Sequence, residues 1–325
     1  MDGGHGRVRK APLSTRTLHE PVEVALLGRL RRGVVERIRA DDGAVVGEPG
    51  PGTRIAVVTN KITVDDAMLD ALPSLELVAS YGVGLDHVDL DAAAARGVTV
   101  SHTPGVLDDC VADLAVGALL DVRRRISAGD RHVRSGAWTA GDPYPLGRRL
   151  SGTRVGILGL GRIGAAVARR LDAFWCEVGY HSRRRVEGSL YRYASSPLEL
   201  ATWADSLVVT VPGGPGTTAM VDAEVLDALG PNGYLVNVAR GTVVDESALV
   251  HALKDGRIAG AALDTYLDEP YVPAALLERE DVVLLPHMGS ATEETRAAMD
   301  DLLVANVEDW LRHGRARTPW VAAAP

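Results

Sequence analysis

From Val22 onward the chain alternates short apolar, largely β-branched runs with longer stretches whose apolar positions recur at helical spacing. The runs Val22–Leu27, Ile55–Thr59, Glu76–Ser80 and Val98–Ser101 predict strands, and Leu30–Ile38 and Asp65–Leu72 predict helices between them. Strands alternating with helices predict a small α/β unit. Val111 to Ile126 predicts a longer helix ending in Arg123-Arg124-Arg125, basic residues suited to a helix C-terminus. That helix is expected to lead into a second domain. Gly129 to Leu150 mixes Gly, Pro and aromatics without a period and predicts a long irregular arm. From Arg154, strands recur near Glu177–His181, Ser206–Val211, Tyr234–Val238, Ile258–Leu263 and Val282–Leu285. With their intervening helices they predict a doubly wound sheet. A final helix, from about Glu293 to Leu311, places Leu302, Leu303, Val307 and Trp310 on its apolar side.

Arg154–Leu158 reads as a buried strand. It runs into Gly159-Leu160-Gly161-Arg162-Ile163-Gly164, and then into a helical pattern in which Ile163, Val167 and Leu171 share one face. A glycine motif between a strand and an amphipathic helix predicts a dinucleotide site. Gly159 makes the tight turn, Gly161 admits the pyrophosphate, and Gly164 lets helix and strand approach closely. Arg162 and Ile163, inside the motif, are counted with the cofactor-binding residues. The second strand of such a fold commonly ends in Asp or Glu, which binds the ribose 2′-hydroxyl. Here it ends in Ser182, followed by Arg183, Arg184 and Arg185. No carboxylate repels a 2′-phosphate, Ser182 can hydrogen-bond it, and the arginines can clamp it. NADP(H) is therefore the expected cofactor, with NAD(H) as the alternative.

Four more residues sit at the ends of strand-like runs. Arg240 follows Tyr234–Ala239, Asp264 follows Ile258–Leu263 with Glu269 just after it, and His287 follows Val282–Pro286. The carboxyl ends of parallel strands form the ligand crevice of an open sheet. A cation, two carboxylates and an imidazole are thus expected to converge there. The set suits a carboxylate-bearing substrate that exchanges a proton and a hydride. Arg240 anchors the carboxylate as a fork, and His287, held by Glu269, moves the proton.

Taken with Gly82-Val83-Gly84-Leu85-Asp86-His87, His102-Thr103-Pro104-Gly105, Val111-Ala112-Asp113, Asn237-Val238-Ala239-Arg240-Gly241 and Pro286-His287-Met288-Gly289-Ser290, these motifs resemble the D-isomer-specific 2-hydroxyacid dehydrogenase family. The resemblance runs from about Val22 to Trp320. Asp130–Trp138 and Tyr180–Arg184 make the chain look most like the glyoxylate/hydroxypyruvate and hydroxyphenylpyruvate reductases of that family.

The resemblance implies an α/β protein of two Rossmann-like domains with a cleft between them. One is a flavodoxin-like substrate domain, discontinuous over residues 21–108 and 293–325. The other is a doubly wound dinucleotide-binding domain over 109–292. It also implies that Val83 and Gly84 offer backbone amides to the substrate carboxylate. Asp264 faces the nicotinamide, Gly289 and Ser290 close on its carboxamide, and Pro212 and Ala239 shape the cofactor channel. Trp138 either reaches the partner subunit's substrate site or packs a dimer interface. The family commonly has Thr where this chain has Asp108, a departure close to the nicotinamide contacts. The implied activity is NADPH-dependent reduction of hydroxypyruvate or glyoxylate to the D-2-hydroxy acid by a homodimer. The alternatives are a bulkier aromatic 2-oxo acid, with Thr59-Asn60-Lys61-Ile62 lining one wall, and a nucleotide-sensing, corepressor-like scaffold.

Composition narrows the remaining classes. A chain of 325 residues is long for one core and natural for two. A net charge of −8 argues against a nucleic-acid or anionic-membrane surface. No apolar run reaches the roughly 18 residues of a spanning helix. Residues 1–20 are polar and Gly/Arg-rich without an apolar core, so they read as a flexible extension rather than a secretory signal. The two cysteines, Cys110 and Cys176, lack disulfide or metal spacing. A reduced, cytoplasmic setting and no metal are expected.

Overall fold

The computed structural model describes residues 21–321. The expected flexible extension, residues 1–20, lies outside them. The chain forms two compact units, one reaching Thr103 and resuming at Ala298, the other spanning Pro104–Ala297.

The first unit runs β1 (Val22–Leu27), α1 (Arg32–Arg39), β2 (Ala44–Gly47), β3 (Ile55–Thr59), α2 (Asp66–Ala71), β4 (Leu77–Tyr81), α3 (Leu90–Ala95) and β5 (Thr99–Ser101). Its five strands are parallel in the order β2-β1-β3-β4-β5, the flavodoxin-like order. The period of two along β3 sorts its side chains between two cores. Ile55 and Val57 pack on Val34, Ile38, Leu303 and Val307, while Ala56 and Val58 pack on Val64, Leu69 and Ala93. Asp65 and Asp89 start α2 and α3 by accepting the amides of Met68 and Ala92.

The second unit begins with α4 (Asp108–Arg124) and α5 (Ile126–Arg134). It continues β6 (Arg154–Leu158), α6 (Arg162–Asp172), β7 (Glu177–His181), β8 (Arg192–Ala194), α7 (Pro197–Trp203), β9 (Ser206–Val209), α8 (Ala223–Leu229), β10 (Tyr234–Asn237), α9 (Glu246–Lys254), β11 (Gly260–Leu263), α10 (Ala274–Leu277) and β12 (Val282–Leu284). The seven parallel strands lie in the order β12-β11-β10-β9-β6-β7-β8. The direction of winding reverses between β6 and β9, where a doubly wound sheet takes its ligand. One face of the sheet is covered by Leu200, Leu226, Leu249 and Leu253 from α7, α8 and α9; α4 packs on β10 and β11 and against α6. The chain then returns to the first unit through α11 (Glu293–His313).

Three expectations are corrected, and three further elements appear. The supposed irregular arm begins as helix α5, which carries through Gly129 to Arg134. The Asp121 side chain accepts the Ser127 amide at 2.8 Å, and Arg134 pairs with Asp130 one turn back. The preceding helix starts earlier, at Asp108, and stops at Arg125, whose backbone is left-handed (φ 57°). Three elements had no sequence signal strong enough to predict them. The edge strands β2 and β8 are short and partly exposed, and α3 has an alanine run in place of a bulky apolar period. Along α11 the buried face is centred on Leu303, Val304, Val307 and Leu311, with Leu302 and Trp310 at its margins. Among the described residues no helix is long and apolar enough to cross a membrane.

Candidate active site

The glycine motif forms the turn from β6 to α6 at the switch point. Gly159 has φ +101°, a conformation that favours glycine. A Cβ there would also press on Val211, just past β9. A side chain at Gly164 would collide with the Gly159 carbonyl oxygen, so the helix can sit this close only without one. Thr210 holds the same carbonyl, its hydroxyl donating at 2.7 Å. Above Gly161 a Cβ would meet nothing within 4 Å. No side chain caps the start of α6, so its first amides and the positive end of its dipole are available to an anion. The residues thus fit a dinucleotide pyrophosphate. Arg162 and Ile163 open the helix. At the end of β7, the Ser182 hydroxyl accepts the Leu160 amide at 3.1 Å, and Arg183 and Arg184 are exposed beside it.

The catalytic candidates lie along the same edge of the sheet. After β10, buried Asn237 shapes the turn. Its side-chain amide donates to the Arg240 carbonyl at 2.9 Å, and its oxygen accepts the Ala239 amide at 3.0 Å. A side chain at Gly241 would collide with the Tyr266 backbone, so this turn lies directly on the loop after β11. The guanidinium of Arg240 donates to the Ala239 carbonyl at 2.7 Å. Ala239 is buried and Pro212, after β9, is exposed.

Asp264 is 2% exposed and grips the next loop, accepting the amides of Met288 at 2.7 Å and Gly289 at 2.8 Å. Burial raises its carboxyl above the ordinary range, opposed by those two amides and by His287. Tyr266 ties the ends of β11 and β12 together, its hydroxyl lying 3.1 Å from the Leu263 carbonyl and 2.9 Å from that of Leu285. Burial pushes this phenol up to about 12. Glu269 and His287 meet within this frame. Nδ1 of His287 lies 2.8 and 2.9 Å from the two carboxylate oxygens. An ionised carboxylate only accepts, so Nδ1 carries a hydrogen and Nε2 is the nitrogen whose proton can move. His287 adopts φ 52°, an uncommon conformation for a side-chain-bearing residue. Gly289 is buried and Ser290 half-buried beside it.

Val83 and Gly84 belong to the first unit. There Gly82 exchanges hydrogen bonds with Thr103, and the His102 ring lies 3.1 Å from the Val83 carbonyl. Trp138 follows α5 and is 68% exposed.

Residues 116–289 match the D-isomer specific 2-hydroxyacid dehydrogenase family, NAD binding domain. The chain is 53% identical to hydroxyphenylpyruvate reductase of Plectranthus scutellarioides, over 78% of this chain and 81% of that one. The chain belongs to the D-isomer specific 2-hydroxyacid dehydrogenases. A glyoxylate/hydroxypyruvate reductase of Arabidopsis thaliana is 48% identical over 78% of this dehydrogenase and 81% of its own length. An NADPH-dependent glyoxylate/hydroxypyruvate reductase of Sinorhizobium meliloti, solved with NADP and malonate, superposes with TM-score 0.88 at 42% identity. The alignment covers 93% of this chain and 97% of that one. The dehydrogenase is thus an oxidoreductase with a nicotinamide cofactor and two Rossmann-type units. Thr210 and Tyr266, which help build the candidate site, escaped sequence reasoning, and Asn237 was read only as part of a motif, without a role. Each acts through hydrogen bonds to backbone groups. The available signal was a polar residue ending or following a buried apolar strand.

Proposed function

We propose that this dehydrogenase reduces a small 2-oxo acid, hydroxypyruvate or glyoxylate, to the D-2-hydroxy acid with NADPH. The observation that carries the reading is the His287–Glu269 pair, held on the sheet edge that also bears Arg240 and the glycine turn. Arg240 receives the substrate carboxylate as a fork. The nicotinamide, when bound, supplies the hydride to C2. His287 Nε2 gives its proton to the carbonyl oxygen, and Glu269 keeps the imidazole oriented and balances its charge. Asp264, through Met288 and Gly289, fixes the loop that presents His287 and places Gly289 and Ser290 at the nicotinamide. The glycine turn, with Arg162 and Ile163, takes the pyrophosphate, and Pro212 and Ala239 border the channel. The free Cys110 and Cys176 support a reducing, cytoplasmic setting.

NADPH is favoured by Ser182, Arg183 and Arg184 at the end of β7, and by the NADPH-dependent relative from Sinorhizobium meliloti. A charge-assisted bond to a phosphate contributes about 1.5–3 kcal/mol. Arg183→Ala and Arg184→Ala should each raise KM for NADPH about tenfold or more and leave NADH little changed. Wild-type enzyme that turns over NADH as efficiently as NADPH would exclude this assignment. A second reading, an aromatic 2-oxo acid, is favoured by the hydroxyphenylpyruvate reductase relative. Steady-state rates with glyoxylate, hydroxypyruvate and hydroxyphenylpyruvate, with chiral analysis of the product, decide between them.

We also propose a homodimer. Ile126, Val133, Trp138 and Leu146 are all exposed on α5 and the segment after it, and exposed apolar side chains concentrated in one region suit an interface. This assigns Trp138 to the partner contact or to the partner's substrate site. Sedimentation is expected to give a dimer at micromolar concentration, and a monomer there would contradict the assignment.

A further inference from the structure

Asp108 stands on the first turn of α4, beside the glycine motif. Three aspartates of α4 pair with arginines of α6: Asp108 with Arg162 at its start, Asp109 and Asp113 with Arg170 in its last turn. Asp109 and Asp113 reach Arg170 at 3.1 and 2.6 Å from exposed positions, with side-chain exposures of 77% and 69%. Asp108 differs, with its side chain only 16% exposed. One oxygen lies 3.3 Å from Nε of Arg162, and the other is buried with no hydrogen-bond partner among the described residues. Arg162 is the first residue of α6, inside the turn that suits a pyrophosphate. A carboxylate here costs desolvation energy, and one of its oxygens goes uncompensated. Asp109, in the same turn, also supplies a negative charge to the helix dipole.

We propose that Asp108 competes with the dinucleotide for Arg162 and thereby sets cofactor affinity. The inference rests on the reading of the glycine turn as a dinucleotide site. Binding exchanges one ion pair for another: the pyrophosphate takes the guanidinium, and Asp108 is left beside a second anion. That anion favours the protonated carboxyl, which can then donate a hydrogen bond. Burial, the largest influence, already raises the proton affinity of Asp108; Arg162 lowers it and Asp109 raises it. The charged and titratable groups around it are Arg162, Arg169 and Arg170 from α6, and Asp109, Cys110 and Asp113 from α4 itself. The segment after β12, which carries His287 and is held by Asp264, meets α4 at Val111 and Cys110. Binding therefore takes up a proton, and affinity falls as pH rises.

The test is a fluorescence titration of NADPH and NADH against the full chain and its Asp108→Asn, Asp108→Thr and Arg162→Ala variants, with Tm as the control for folding. Asp108→Asn and Asp108→Thr should bind both dinucleotides tighter, by about fivefold or more. Packing damage would weaken binding instead. Arg162→Ala should weaken both, and Asp108→Asn should gain less in that background. With NADH, which lacks the titrating 2′-phosphate, wild-type affinity should fall with rising pH more steeply than that of Asp108→Asn. Equal or weaker binding by both Asp108 variants overturns the proposal and leaves the cofactor reading standing. Wild-type protein that binds neither dinucleotide overturns both.

Discussion

His287→Ala is expected to lower the reductive kcat by roughly 10²–10⁴-fold, the usual contribution of a positioned general acid, while NADPH binding persists. The cofactor is assigned to the glycine turn and to the arginines after β7, groups separate from the imidazole. The pH profile carries the more specific signature. Reduction needs a proton on Nε2 to give to the forming alkoxide, and oxidation of the hydroxy acid needs that nitrogen free to accept one. Reductive kcat/KM should therefore fall as pH rises, and the oxidative direction should show the mirror trend. In Glu269→Gln the amide keeps the shape but carries no charge to balance the imidazolium. The variant should therefore lose rate in both directions. A fast His287→Ala enzyme, or an undiminished rate in Glu269→Gln, would remove the pair from the chemistry.

Arg240→Lys should be nearly as damaging as Arg240→Ala. The proposed contact is a two-pronged bond from a planar guanidinium to a carboxylate, and an ammonium cannot reproduce the fork. Removing one partner of a buried charged pair costs about 2–5 kcal/mol, which corresponds to roughly 30- to 5,000-fold in kcat/KM. The turn that presents Arg240 is built by Asn237 and packed on Tyr266 through Gly241, so backbone placement should survive in the lysine variant. Steady-state kinetics with glyoxylate and NADPH check this. A lysine enzyme near wild-type efficiency would show that Arg240 does not anchor the carboxylate as a fork.

Much of this protein was legible along the chain. The strands β1, β3 and β7 coincide with the runs that predicted them. The buried stretches of these strands are apolar, most completely in β3, and a run of that kind is visible without any partner. The positions of Gly159, Gly164, Arg240, Asp264, Glu269 and His287 were legible for a related reason. Each lies shortly after a strand of the parallel sheet, and parallel strands bring their carboxyl ends to one edge. Marginal elements were not legible. The edge strands β2 and β8 are stabilised by pairing with β1 and β7, and α5 depends on Asp121 of the preceding helix as well as on its own residues.

The sequence by itself determined the α/β class, the dinucleotide turn and the residue types available for proton transfer and carboxylate binding, because these follow from local periodicity and from side-chain chemistry. The tertiary structure alone decided how those residues are held. Only folding brings Asp264 to the amides of Met288 and Gly289, lets Tyr266 join β11 to β12, and sets Asp108 against Arg162. Each of these contacts joins segments that the chain keeps apart. Hydrogen bonds and ion pairs need their partners within about 3–4 Å, and in an open sheet that proximity comes from the order of the strands rather than from the order of the residues.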